Sequence, residues 1–310
     1  MPPVSVTHFT DPGCPWAWSA SPAIAALQWR YGDQLAWRHV MIGLTEHGSQ
    51  YVERGYTPLK AARGYARFRR FGMPFATAPK DHVAGTSRGC RVIVAARLQA
   101  PEREYAVFRA LQFMQFCSTG TLDTDSDLLA AVRDVPGVDA EALIAAIDSP
   151  AVLEAYEADR AEARSAEGGA THAQGKTAAS DGPVRYTAPS LIFATGDGVR
   201  LEAGGFQSLQ VYDAMLANLD TTLERRDPPL DVGEVLAAFP DGLVTAEVAE
   251  VYASGPAQET DRAVLEDRLI ELAAEGRATR LGVGDDALWL PGVSERSDAR
   301  GAGGRFQTIS

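Results

Sequence analysis

The chain has 310 residues, with 29 basic and 41 acidic side chains, a net charge of −12 and a pI near 4.9. That balance argues against nucleic acid or an anionic membrane as main partner and favours solubility, while 45% apolar residues allow a sizeable core in one large domain plus a small one. No run approaches the roughly 20 apolar residues of a membrane span, Met1-Pro2-Pro3-Val4 has no leader-like pattern, and three scattered cysteines, Cys14, Cys90 and Cys117, form neither a disulfide framework nor a zinc cluster and suit a reducing cytoplasm.

Val4–Phe9 predicts a first strand, and Pro15–Tyr31 a helix bent at Pro22. Between them lies Thr10-Asp11-Pro12-Gly13-Cys14-Pro15-Trp16-Ala17-Trp18, which places a thiol where a strand hands over to a helix. The first helical turn has N–H groups without intrahelical partners and a positive dipole end, so a thiolate there is stabilised and its pKa is expected to fall. Pro15 fits the first helical position; Pro12 and Gly13 break the strand. The same Cys-Pro pair also reads as a small hydrophobe at a helix start. Asp11 either accepts a proton from Cys14 or starts the turn, and the turn is preferred. His8 either faces the site or is a structural strand histidine. Trp16 reads as a stacking wall for substrate, Trp18 as core.

Leu35–Ile42 predicts a second strand. Helix-compatible spacing follows over 59–71, 87–99, 103–116, 126–132, 140–147 and 151–166, with start signals at Asp139 and Ser149-Pro150. Arg63, Arg67 and Arg70, beside Arg54, Lys60 and Arg69, make a basic patch that reads either as a solvated helix face or as a receiver of carboxylates. Gly168–Pro183 reads as a loop, with His172 and Lys176 placed to close over the site. Tyr186-Thr187-Ala188-Pro189-Ser190-Leu191-Ile192-Phe193 sets a proline just before an apolar strand: a candidate cis peptide, or an ordinary strand-start proline. Strands over 191–194 and 199–203 and a helix over 206–223 complete the unit.

Strand, Cys-Pro-Trp-Xaa, kinked helix, strand, long helical insertion, Thr-Ala-Pro, two strands and a helix resemble the DsbA-like thioredoxin-fold proteins, most of all their cytoplasmic FrnE-like branch. Hydroxychromene-carboxylate isomerases and kappa-class glutathione transferases share that fold. The resemblance covers about residues 1–225, with the insertion at about 45–168. It implies an α/β thioredoxin-like fold with Cys14 as nucleophile and Pro189 as the cis-proline abutting it. It also implies a docking surface for substrate at Pro15, Trp16, Thr187 and Ala188. Gly204-Gly205-Phe206-Gln207 is similar to the family's lead into its last helix.

The chain departs from the family at Ala17, where redox members carry a second cysteine. Without it Cys14 can attack a disulfide, but an external thiol must resolve the mixed disulfide. The expectation is therefore a monothiol oxidoreductase or disulfide isomerase acting on a protein or small-molecule thiol or disulfide. Alternatives are a transferase or isomerase that uses glutathione or mycothiol, and a non-catalytic binding or regulatory protein. Cys90 and Cys117 read as buried packing or as substitute resolving thiols. No cofactor is expected beyond such a small thiol.

Arg225-Arg226-Asp227-Pro228-Pro229 reads as a linker. Helices over 233–239, 245–252 and 261–275, then a hairpin of 277–281 with 287–290 turning at Gly282 to Asp286, give the order of a winged helix over 230–293, a small α+β domain. Residues 229–295 hold four basic and fourteen acidic side chains. A DNA-reading helix draws on Lys and Arg to neutralise phosphates, so protein contact, dimerisation or a lid is the better reading. Residues 294–310 read as a disordered tail.

Overall fold

A computed structural model describes residues 3–180, 182–253 and 261–292. The tail expected over 294–310 lies outside the described residues. In chain order the first elements are β1 (Val4–Thr10), α1 (Pro15–Ser19), α2 (Ser21–Tyr31) and β2 (Leu35–Met41). There follow α3 (Gly48–Glu53), α4 (Pro58–Phe68), α5 (Ser87–Gln99), α6 (Glu104–Cys117), α7 (Asp125–Val132), α8 (Ala140–Ala146), α9 (Pro150–Ala163) and α10 (Ala170–Ala173). Then come β3 (Thr177–Ala178), β4 (Arg185–Tyr186), β5 (Ser190–Thr195), β6 (Arg200–Gly204) and α11 (Leu209–Leu219). The chain continues through α12 (Val232–Ala238), β7 (Leu243–Val244), α13 (Thr245–Tyr252), α14 (Arg262–Ala274), β8 (Ala278–Val283) and β9 (Asp286–Pro291).

The central sheet runs β2-β1-β5-β6, with β2 parallel to β1 and the other neighbours antiparallel. This is the thioredoxin-like α/β arrangement, with α3–α9 inserted between β2 and β3. Register sets up the site. Phe9 stands opposite Ser190, so the turn after β1 and the residues just before β5 emerge side by side at one end of the sheet.

The bend expected at Pro22 is a break one step earlier: α1 ends at Ser19 and α2 starts at Ser21, with Pro22 in its first turn. Nine of the eleven residues of α2 are buried, as suits a helix apolar nearly all round. It packs on α11 and α13, in one apolar cluster with Val4 and Val6 of β1, Leu216 of α11, and Val248, Val251 and Leu269 of the C-terminal elements.

Those C-terminal elements match the three helices and the hairpin expected there, with two differences. A short strand, β7, joins the hairpin to give the sheet β7-β9-β8, and the hairpin turn is only Gly284-Asp285, because pairing runs through Val283 and Asp286. Nor is 225–229 a loose tether. Arg226 donates its backbone N–H to Arg30 O at 2.8 Å and stacks on Trp29, whose indole donates to Asp227 O at 3.1 Å. Across the same seam Arg109 of α6 pairs with Glu247 of α13 at 2.7 Å, both buried.

Two further expectations change. Gly168–Pro183 is not a plain loop; it contains α10 and β3, and β3 pairs with β4 in a two-stranded flap. Helix α3, which the sequence reading missed, starts at Gly48, and the Gln50 side chain reaches back to accept the Glu46 and His47 N–H groups at its start. Among the described residues no helix is long and apolar enough to cross a membrane.

Candidate active site

Asp11 closes the turn that delivers the thiol. One carboxylate oxygen accepts the Gly13 N–H at 2.8 Å; the other accepts Leu44 N–H at 2.8 Å and the Thr86 hydroxyl at 2.9 Å. The preferred turn reading of Asp11 thus matches its contacts. It is also a buried clasp between β1, the residues after β2 and the start of α5, and burial pushes its pKa up. Gly13 is required by space: a Cβ there would meet the Thr86 methyl at 2.5 Å.

Cys14 is the N-cap of α1, with Pro15 at the first helical position. Its Sγ donates to Ala188 O at 3.1 Å, and the Ala188–Pro189 peptide bond is cis. Sulfur and prolyl turn, 174 residues apart in the chain, are therefore in direct contact. Ala17, one helical turn on, packs in the same apolar cluster as Cys14, Phe9, Tyr186, Ala188 and Ile192.

The expected fall in the thiol pKa is overturned. Cys14 is only 6% exposed, and its pKa is pushed up to about 12. Burial is the main cause and the Asp11 charge adds to it; the N–H groups of Ala17 and Trp16 and the Arg185 cation pull the other way. The helix start acts as the sequence suggested, but desolvation of a thiolate outweighs it. In this form the sulfur is a protonated hydrogen-bond donor.

Trp16 is 40% exposed and is the rim of the site. It meets Phe68 at 4.9 Å edge to face, Phe71 at 5.3 Å and Phe206 at 5.6 Å between ring centroids. Phe206 belongs to the Gly-Gly-Phe-Gln stretch, which the fold thereby brings to the thiol. Trp18 is fully buried, as expected, and its indole donates to Pro74 O at 2.9 Å. Thr187 is half-buried; its hydroxyl contacts Lys176 O and Ser190 Oγ, each at 3.3 Å, and its carbonyl accepts the Ser190 hydroxyl.

His8 does not face the site. Strand alternation puts Phe9 on the thiol side, stacked on Tyr186, and turns His8 to the other face. There it lies 5.6 Å from His39 and 6.4 Å from Phe108 by ring centroids. Burial and the neighbouring His39 charge hold its pKa well below the usual value. Cys90 donates weakly to Asp11 at 3.6 Å and Cys117 to Pro74 O at 3.6 Å; both are free thiols packed outside the Cys14 cluster. His172 accepts the Gly168 N–H at 3.0 Å.

The sequence reading missed Tyr51 of α3, Tyr65 of α4 and Arg185 of β4, all near enough for their charges to interact with that of Cys14. Burial is what raises both tyrosines, Tyr65 to about 12. No local pattern marks these residues. The one signal was Arg185, a cation just before the prolyl turn.

A thiol capping a helix start against a cis-prolyl turn, on a β2-β1-β5-β6 sheet with a helical insertion, defines a thioredoxin-like protein. The chain belongs to the DSBA-like thioredoxin domain family, whose sequence model matches residues 5–167. A solved structure described as a putative protein disulfide isomerase from Nitrosomonas europaea is similar, with a TM-score of 0.52 and 18% identity over 70% of this chain and 99% of that one. The cytosolic disulfide reductase DsbM from Pseudomonas aeruginosa gives a TM-score of 0.48 and 17% identity over 70% of this chain and all (100%) of that one. Among curated proteins, the ClpXP adapter protein SpxH of Shouchella clausii (strain KSM-K16) is 27% identical over 160 residues, 51% of this chain and 52% of that protein. The chain thus spans about half the length of that curated relative.

Proposed function

We propose that this protein is a thiol–disulfide exchange enzyme working with one sulfur, Cys14, in a reducing cytoplasm. The observation that carries this reading is the 3.1 Å contact between Cys14 Sγ and the carbonyl preceding Pro189, with Ala17 where a resolving thiol would stand. Cys14 loses its proton to solvent and its sulfur attacks one sulfur of a bound disulfide. The S–S bond breaks, and the departing sulfur leaves as thiolate and takes up a proton. A second thiol from solution, of the glutathione or mycothiol class, then attacks the mixed disulfide and releases Cys14. Pro189 and the Thr187–Ala188 backbone form the docking edge, with Pro15 and Trp16 facing them. A thiol of raised pKa is a poor leaving group, so the site suits capture of a partner sulfur, with release of Cys14 as the slow step.

The acidic C-terminal elements, read as winged-helix-like, serve protein contact in this reading and not DNA. A binding role resembling that of the adapter relative is the second reading, favoured by the near-complete burial of the sulfur.

One experiment separates the two. The whole protein is mixed with 2,2′-dithiodipyridine from pH 7 to 9, and released thiopyridone and intact mass are followed. Exchange should rise with pH, leave a mass adduct on Cys14, reverse with glutathione and vanish in Cys14→Ser. No adduct at pH 9 would sink the enzyme reading and leave the binding one. Ala17→Cys should add insulin-reducing activity, because residue 17 shares the cluster of Cys14.

A further inference from the structure

From Arg54 to Lys80 the chain carries seven basic side chains and no acidic one, in a protein of net charge −12. This segment contains α4, and α3 just precedes it. Tyr51 and Tyr65 of these two helices lie within electrostatic reach of Cys14, and Phe68 of α4 meets Trp16, two residues after the thiol, at 4.9 Å, so the pair stands beside the site. Its outer surface is unusual. Arg63, Arg67 and Arg70 are exposed and make no ion pair among the described residues, whereas Arg30, Arg88, Arg91, Arg97 and Arg103 all do. Tyr56 and Leu59 of the same segment and Val52 of α3 are exposed apolar side chains, and Glu53, at the end of α3, is the one exposed acidic side chain beside them. The cationic row reaches the site rim directly: Arg70 stacks on Phe71, and Phe71 meets Trp16.

We propose that the outer face of α3–α4 docks an acidic polypeptide segment, whose disulfide is thereby presented to Cys14. This rests on the exchange reading for its last step only. Charge complementarity selects the occupant. Unpaired arginines beside exposed aromatic and aliphatic side chains fit carboxylates interleaved with apolar residues. Exchange follows the balanced step above: Cys14 bonds to the peptide sulfur and the second sulfur of the peptide disulfide departs as a thiol.

The test uses the full chain and two synthetic peptides of equal length, one rich in Glu and Leu and one in Lys and Leu. Each is made cysteine-free with a fluorophore, and again with one cysteine activated as a thiopyridyl disulfide. By fluorescence anisotropy the acidic cysteine-free peptide should bind wild type and Cys14→Ser alike. Binding should weaken about tenfold in R63E/R67E/R70E, the sum expected of three exposed ion pairs of ordinary strength, and fade in ~0.5 M salt. The activated acidic peptide should release thiopyridone about tenfold faster than the basic one, while neutral dithiodipyridine reacts equally with wild type and the triple variant. Equal binding of both peptides overturns the docking proposal whatever Cys14 does. Acidic binding without exchange keeps the dock and removes the exchange reading. A wild-type dimer that the triple variant abolishes would assign the face to a second copy and overturn the peptide proposal.

Discussion

Helices α2 and α4 both press on the segment that carries Cys14, and they are held there by different means. Behind the sulfur, α2 lies in one apolar core that runs unbroken from Val4 and Leu27 through Leu216 to Val248, Leu269 and Trp289. In front, α4 buries only Ala62 completely and rests on ring contacts, Phe68 against Trp16 and Tyr65 against Phe75 and Phe116. A few polar ties reach it from the β8–β9 turn. Regions with few buried apolar contacts open at lower free energy than core elements. The C-terminal elements therefore stiffen the back of the site, and the α4 side, next to Trp16, is the softer one.

The strongest way to break that contrast is at the seam behind. In Glu247→Ala the Arg109 guanidinium loses its buried carboxylate and the Val244 N–H its acceptor, which should cost about 3–5 kcal/mol in a urea titration. Paired apolar replacement, Arg109→Met with Glu247→Leu, should recover the part due to the stranded guanidinium and leave the cost of the Val244 N–H, which still lacks its acceptor. A single substitution costing under 1 kcal/mol would show that the C-terminal elements are loosely seated.

The front makes its own demand on the sulfur. With a pKa of about 12, Cys14 carries little thiolate at neutral pH. Iodoacetamide should modify it about a hundredfold more slowly than free cysteine at pH 7, after allowing for the greater nucleophilicity of a basic thiolate. The sign follows from the upward shift: thiolate grows tenfold per pH unit below the pKa, so the rate should climb without a plateau up to about pH 11. A plateau below pH 8 would contradict a closed front. Gly13→Ala comes next in size. Its methyl would strike that of Thr86, which cannot rotate away without giving up its 2.9 Å bond to Asp11; a loss of about 1–3 kcal/mol is expected by thermal unfolding.

The same contrast separates what the sequence reveals from what it hides. The strand, the Cys-Pro helix start and the Ala-Pro strand entry are local patterns, and the resemblance they carry together implies that Pro189 abuts Cys14; the hydrogen bond from the sulfur to Ala188 O comes from the structure. Phe206 could be brought in by its Gly-Gly-Phe-Gln setting. What failed is everything that depends on how deeply the sulfur is covered. The helix dipole is visible in a sequence and acts as expected; the burial that outweighs it comes with the cluster of Phe9, Ala17, Tyr186, Ala188 and Ile192 around the sulfur, which only the tertiary structure assembles. His8 was one strand step from the thiol side, a parity that the pleat decides. The seam on α2 was hidden for another reason: a helix apolar nearly all round does not say which neighbour takes each face.

The smallest effect tests the link between the two regions. Asp285, in the β8–β9 turn, accepts the Phe75 N–H at 2.9 Å and pairs with Arg69 at 2.8 Å, while Arg262 of α14 donates to Gly72 O at 2.8 Å. These bonds hold the end of α4 and its Phe68–Phe71 wall against Trp16. Arg69 and Asp285 are each about two-fifths exposed, so Asp285→Ala should cost at most about 1 kcal/mol of stability. Its effect should be concentrated in front: faster alkylation of Cys14 and altered Trp16 fluorescence in a protein whose unfolding is nearly unchanged. Unaltered alkylation would mean that α4 is held by its ring contacts and the Gln115–Tyr65 hydrogen bond without help from Asp285. Faster alkylation would make the C-terminal turn a latch on α4 as well as part of the wall behind the sulfur.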